Sequence, residues 1–355
     1  MKTTLLSLLF ACLALMAGVA YADDLQPADS KYIQYVGRID FSNPKLPRFW
    51  SPGVYVGTKF RGTYCDIVLN DEVRWGHSHN WVEIAVDDLP PQRVQTTGMT
   101  NTIEAAKDLP DGVHTITVCK DTEANIGYLE LVGFRCAGLV KPDRMPRRKI
   151  EFIGDSITCG ADSDPSTVEC GKGEWYDQHN AYMAYGPVAA RELNAQWHLT
   201  SVSGIGIYHS CCGHTTTMPM VFDKMDIGDD GSGAWDFGRY QPDVVTICLG
   251  QNDGPGDPAA FHDAYAAFLH TVRNDYPKAQ ILCLSSPMGD DRLTAMLKST
   301  LSGIVDEFAK AGDDRIHLFV FSGHYNAGCV SHPNVAQHQQ IADELVPEIK
   351  SIMGW

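Results

Sequence analysis

The feature that most restricts the fold is a change of rhythm about two-fifths of the way along the chain. From about Asp23 to Leu139, apolar residues recur with period two. They fall in short runs rich in Val, Ile, Thr and aromatics, at residues 53–60, 64–69, 81–86, 113–119 and 128–134. Turn chemistry separates the runs, as at Asn70-Asp71, Asp87-Asp88 and Pro110-Asp111-Gly112. A period of two belongs to a strand with one face buried. Several such strands at close spacing predict an all-β sandwich or jelly roll over residues 23–140. A basic joint with two prolines follows, residues 141–149. Beyond it, over residues 141–355, strand-like apolar runs at 150–153, 198–203, 244–249, 281–284 and 316–321 alternate with helical spacing. Phe261, Tyr265, Phe268 and Val272 share one helix face, as do Leu297, Leu301, Ile304 and Phe308, and Ile341, Leu345, Ile349 and Ile352. Alternating strand and helix predicts an α/β half with a parallel sheet covered on both faces. In such sheets, functional residues gather at the carboxyl ends of the strands.

The amino terminus reads as an export signal over residues 1–22. Lys2 is followed by an apolar run at 5–19 and by Ala20-Tyr21-Ala22, a small-x-small cleavage pattern. The run is short for a membrane span, and no later stretch of about 18 apolar residues appears. The expected location is therefore secreted or periplasmic, with no membrane partner after cleavage. The alternative is a lipoprotein cut at Cys12, for which Phe10-Ala11 is a poor lipobox. A net charge of −16 repels phosphate backbones and argues against nucleic acid, leaving neutral ligands such as sugars open. Of 11 cysteines, Cys12 lies in the leader. Cys65, Cys119, Cys248 and Cys283 sit in apolar runs and read as buried thiols. Cys159, Cys170, Cys211, Cys212 and Cys329 lie in Gly-rich loop-like surroundings, where disulfides are to be sought. No Cys-x-x-Cys pair has zinc spacing, and no metal or cofactor is expected.

The strongest chemical signal is Ile150-Glu-Phe-Ile-Gly-Asp-Ser-Ile-Thr158. An apolar strand ends at Gly154 and Ser156 follows almost at once. A Ser there faces a cleft and keeps its own N–H free, which suits a nucleophile and half an oxyanion site. Taken alone, it suits a plain helix cap better. Three later features tip the balance. Gly204, after the second strand, offers an approachable backbone N–H or is a turn glycine. Asn252, in Gly250-Gln-Asn-Asp-Gly254 after the third strand, offers an amide N–H or forms an Asx turn. His332, just before the final helix, can take and return a proton or is a loop histidine without a role. Four such pieces in this order are hard to obtain by chance.

This arrangement resembles the SGNH (GDSL-type) hydrolases. Gly154-Asp155-Ser156, Gly204, Gly250-x-Asn252-Asp253 and His332-Pro333 match the four blocks. The resemblance extends to carbohydrate esterase family 2, through the two-part layout and the phrases at residues 111–118, 120–123 and 235–243. It implies a jelly-roll sandwich joined to an SGNH domain. It also implies removal of O-acetyl groups from plant polysaccharides such as acetylxylan, many members favouring the 6-O-acetyl of hexoses. In roles, it implies Ser156 as nucleophile, His332 as general base, and Ser156, Gly204 and Asn252 as oxyanion donors. Two rival functions stay open: an SGNH esterase or lipase for other acyl esters, and a carbohydrate-binding protein with an inactive hydrolase half.

Two departures matter. Relatives carry an Asp two residues before the His, and here that position is Val330. The expectation is thus a Ser–His dyad whose imidazole is held by a backbone carbonyl. Asp162, Asp253, Asp257, Asp290 and Asp291 are the acids that could reach from other loops. The residue before the His is often aromatic in relatives and is Ser331 here. Trp175, Tyr176 and Tyr208 follow the first two blocks; Trp175 and Tyr208 are expected to meet substrate, with packing the alternative. His77 and His79 read as a polar loop rather than a metal pair, and Asp229-Asp230 and Asp290-Asp291 as solvated turns.

Overall fold

The computed structural model describes residues 25–229 and 231–355. The leader, its cleavage site and Asp230 lie outside the described residues.

The first half is a sandwich of two antiparallel sheets. One runs Leu25–Pro27, Leu129–Arg135, Cys65–Asp71, Thr100–Ala106, with Arg48–Phe49 also on Leu129–Arg135. The other runs Gly138–Val140, Tyr55–Gly62, Gly112–Lys120, Trp81–Val86, Gln92–Gln95, with Gln34–Val36 on Tyr55–Gly62. Ile67, Leu69 and Phe134 of the first sheet share a core with Val56, Phe60, Ile84 and Ile116 of the second. The five expected runs are all strands of this sandwich.

The second half is a parallel sheet in the order Ala195–Ser201, Arg148–Gly154, Val244–Cys248, Gln280–Leu284, Ile316–Phe319. Its strands are largely buried because helices cover both faces. Helices Tyr185–Glu192 and Val335–Met353 pack on one face through Tyr185, Val188, Ile341, Leu345 and Ile349. Helices Pro258–Asp275 and Asp291–Lys310 pack on the other through Phe261, Tyr265, Phe268, Leu297 and Leu301. The first strand of this half lies inside the sheet, between the second and the third. The chain direction across the sheet therefore reverses there, and a crevice opens at the carboxyl ends of those strands.

The halves meet through buried aromatic and polar groups. Trp197 stacks on Tyr55 at 3.9 Å between centroids and donates its indole N–H to the Gly53 carbonyl at 2.9 Å. Arg38 of the sandwich is fully buried. It donates to the Phe222 carbonyl at 2.8 Å and lies 3.8 Å from Glu151.

Candidate active site

The strand Arg148–Gly154 delivers the chain to a tight turn. A Cβ at position 154 would fall 2.0 Å from Thr158 Oγ1, so only glycine fits. Asp155 then caps the one-turn helix Ser156–Cys159, its Oδ1 accepting the Ile157 N–H at 3.0 Å. Burial pushes the Asp155 carboxyl up to about 7. Ser156 takes the first position of that turn, where an N–H has no intrahelical partner. Its Oγ lies 2.9 Å from His332 Nε2.

His332 stands on a loop in an unusual conformation. Val330 (φ 49) and Ser331 (φ 61) both occupy the left-handed region, and for a β-branched residue that is a costly state. Strain of this kind costs about 1–3 kcal/mol per residue and persists only where neighbours enforce it. Three ties do so: the Cys170–Cys329 disulfide, the Cys329 N–H to the Asp162 carbonyl at 2.9 Å, and the Gly328 N–H to the His332 carbonyl at 2.6 Å. Asn334 then starts the last helix with a capping box to Gln337.

The expectation of an imidazole without a carboxylate needs correction. Asp162 Oδ2 lies 3.4 Å from His332 Nδ1. The contact is longer than a good hydrogen bond, and Nδ1 makes none among the described residues. Asp162 therefore offers the ring charge at short range without a well-formed bond. It comes from the loop just after the nucleophile's helix, and Val330 itself points to solvent. Burial holds the His332 pKa below its ordinary value, against the opposing pull of Asp162. Burial likewise raises that of Asp162.

The oxyanion side comes from two further strand ends. Gly204 has φ +79, and a Cβ there would meet the His214 ring at 2.9 Å, so the position demands glycine twice over. Its carbonyl accepts the Cys211 N–H at 2.9 Å. Asp253 ties this loop to the third block by accepting the N–H groups of Ile207, Tyr208 and His209 at 2.9–3.0 Å. Asn252 Nδ2 donates to the Ile205 carbonyl at 2.8 Å, which orients the amide. The same nitrogen also donates, over a longer 3.3 Å, to Asp155 Oδ2.

These groups line a cleft of about 500 Å³ that contains Ser156, Asp162, Gly204, Asn252 and His332. Trp175 forms part of its wall and is 51% exposed. Tyr208 is absent from the lining. Its backbone is drawn onto Asp253, and its ring packs against the apolar cluster of the second half. Tyr176 is buried against His79, and His79 Nε2 meets Asp177 Oδ1 at 2.6 Å. Asp229 is not a bare solvated turn, since it meets His214 Nδ1 at 2.9 Å on the cleft wall. Asp290 caps the helix Asp291–Lys310.

Several lining residues had no sequence signal. Arg74, Trp75 and Asn125 reach the cleft from the sandwich, with Trp75 60% exposed. Cys211 and Cys212, also in the lining, form a disulfide between adjacent residues. Cys170–Cys329 and Cys211–Cys212 both fall among the loop cysteines singled out above. Cys159, singled out with them, is instead a buried free thiol like Cys65, Cys119, Cys136, Cys248 and Cys283. Another cavity of about 330 Å³, lined by Tyr55, Lys59, Tyr182 and Trp197 among others, holds no nucleophile and base pair.

Comparison with known proteins agrees with this geometry. Residues 35–146 match the carbohydrate esterase 2 N-terminal family, and residues 152–339 match the GDSL-like lipase/acylhydrolase family. The chain is 33% identical over 347 residues to the cellulase/esterase CelE of Acetivibrio thermocellus, covering 94% of this chain but only 41% of that protein. It is 28% identical over 336 residues to an acetylxylan esterase/glucomannan deacetylase of Cellvibrio japonicus, covering 92% of this chain and 91% of that one. Among solved structures, a family two carbohydrate esterase from Clostridium thermocellum in complex with cellohexaose superposes with a TM-score of 0.81. It is 32% identical, over 91% of this chain and 99% of the other. With both halves matched in order and a solved relative covered almost end to end, the chain belongs to carbohydrate esterase family 2 and is a carboxylic ester hydrolase.

Proposed function

We propose that this protein is a secreted carbohydrate O-acetyl esterase that removes acetyl groups from plant polysaccharides of xylan or glucomannan type. The observation that carries the mechanism is the 2.9 Å contact between Ser156 Oγ and His332 Nε2 in an open cleft. Ser156 Oγ attacks the acetyl carbonyl carbon while His332 Nε2 takes its proton. The charge that develops on the carbonyl oxygen meets the N–H groups of Ser156 and Gly204 and the Asn252 amide. Collapse breaks the bond to the sugar oxygen, and His332 returns the proton to that oxygen. Water then attacks the acetyl-enzyme with His332 again as base, releasing acetate and restoring Ser156. Asp162 steadies the imidazolium across 3.4 Å. The indoles of Trp75 and Trp175 supply faces on which sugar rings stack.

The names of the Cellvibrio relatives support the substrate class, and cellohexaose in the Clostridium relative supports a chain of sugars as ligand. Acetate release from acetylated xylan, glucomannan and other glycans, beside turnover of acetyl and octanoyl aryl esters, tests the reading. Release from the acetylated glycans and a preference for acetyl are expected. Faster turnover of octanoyl esters with no acetate from any glycan would favour a lipase instead.

Asp162 gives two linked expectations. In a serine protease with a full triad, replacing the Asp by Asn cost about 10⁴ in rate. Here the contact is long, so Asp162→Asn should lower kcat/KM by roughly 10–10². The base must be neutral to act, and burial lowers its pKa. The acidic limb of the wild-type profile should therefore lie below the ordinary histidine value of 6.5. Asp162 raises that pKa, so Asp162→Asn should move the limb to still lower pH. A limb that stays in place would assign it to another group, such as Asp155 near pH 7.

A further inference from the structure

We propose that Glu123, contributed by the β-sandwich, is a positioning residue for the catalytic centre; the proposal rests on the Ser156–His332 reading above. Glu123 closes the segment Lys120-Asp121-Thr122-Glu123, and all four side chains are buried. Three of them fix the segment in place. The Lys120 ammonium donates to the carbonyls of Thr122 and Glu123 at 2.6 and 3.1 Å. Thr122 Oγ1 donates to Asn80 Oδ1 at 2.5 Å, and Asp121 Oδ1 accepts the Tyr182 N–H at 3.1 Å.

Glu123 reaches further, into the loops of the other half. Its Oε2 accepts the Ser203 N–H at 2.7 Å, with Cys159 Sγ at 3.7 Å. Its Oε1 accepts from Ser203 Oγ at 2.5 Å and from His179 Nε2 at 2.9 Å. Ser203 precedes Gly204, and Cys159 ends the turn that Ser156 begins. His179 Nδ1 in turn accepts the Asp162 N–H at 3.4 Å, so the ring's proton lies on Nε2, facing Glu123. One carboxylate thus holds the nucleophile's turn, the oxyanion turn and the acid beside His332. Burial alone would raise its pKa, but the bonds from His179 and Ser203 outweigh burial and keep it ionised. A glutamine cannot replace it. Whichever way its amide is turned, its NH₂ faces either the Ser203 N–H or the His179 Nε2–H, and two donors oppose each other.

A buried carboxylate that only glued the halves together would matter for stability and leave the turnover of folded protein unchanged. The experiment compares full-length Glu123→Gln, Asp121→Asn and Ser156→Ala with wild type. It measures kcat and KM on an aryl acetate, the rate of labelling by a fluorophosphonate, and thermal unfolding. Glu123→Gln should fold, lose roughly 10–10² in kcat with KM within about threefold, and label more slowly in parallel. Asp121→Asn should unfold at a lower temperature and keep kcat within about twofold. A folded Glu123→Gln with wild-type kcat, or a kcat loss shared by Asp121→Asn, overturns the proposal. Turnover surviving in Ser156→Ala would instead overturn the reading beneath it. Should Glu123→Gln fail to fold, Ser203→Ala keeps the N–H bond and removes the hydroxyl bond. It should lower kcat about 3–10-fold, and an unchanged kcat overturns the proposal.

Discussion

Ser156→Ala is expected to give a folded protein whose acetyl ester turnover drops by about 10⁵–10⁶, the scale seen when a serine hydrolase loses its nucleophile. Among the described residues, the hydroxyl's side-chain hydrogen-bond partner is His332 at 2.9 Å, so its loss leaves no cavity lined by apolar groups. The turn around it is held by Gly154, by the Asp155 cap and by the bond from the Ala161 N–H to the Ser156 carbonyl, none of which needs the hydroxyl. Thermal unfolding should therefore stay within a few degrees of wild type. Measuring both quantities on one preparation separates chemistry from folding. Wild-type turnover in the folded variant would rule out an acyl-enzyme on Ser156.

Asn252→Ala is expected to lower kcat by roughly 10²–10³ while KM changes little, because the donor gains strength only as negative charge develops. The fold supports a clean measurement. Asn252 leans on the Ile205 carbonyl through one N–H, whereas the neighbouring loop is pinned separately by Asp253. Removal of the amide should therefore leave Gly204 near its place. A rise in KM with kcat held would make Asn252 a substrate-binding residue instead.

The parts of the site that the sequence showed are those whose signal is local. Ser156, Gly204 and Asn252 each follow an apolar strand within a few residues, so strand and chemistry are read together. His332 was visible because it stands just ahead of the final helix, whose start Asn334 marks. Asp162 could be named as a candidate acid but not chosen, because its approach to His332 crosses a separation in sequence that no periodicity encodes. The position two before the histidine pointed away from it, since Val330 cannot accept a bond. Tyr208 could not be placed from its position alone: its backbone N–H joins those of Ile207 and His209 on Asp253, and its ring packs on the apolar cluster rather than lining the cleft. In the sandwich, the strand Thr100–Ala106 was missed because buried Asn101 occupies an inward site and disguises the alternation carried by Ile103 and Ala105. The contribution of Trp75 to the cleft was illegible for a like reason: a tryptophan at φ 60 is not something composition or spacing announces.

The Cys170–Cys329 bridge joins positions 159 residues apart and ends one peptide before the strained pair that leads to His332. The nucleophile's turn and the oxyanion loops do not depend on it, since strand ends, glycines and Asp253 shape them. The histidine's loop does in part, because the bridge is one of the three ties that hold its left-handed residues. One covalent tie therefore bears on the proton acceptor, while the nucleophile and the oxyanion side rest on non-covalent geometry. Reduction of the bridge is expected to leave the cleft formed and to hold His332 less firmly beside Ser156.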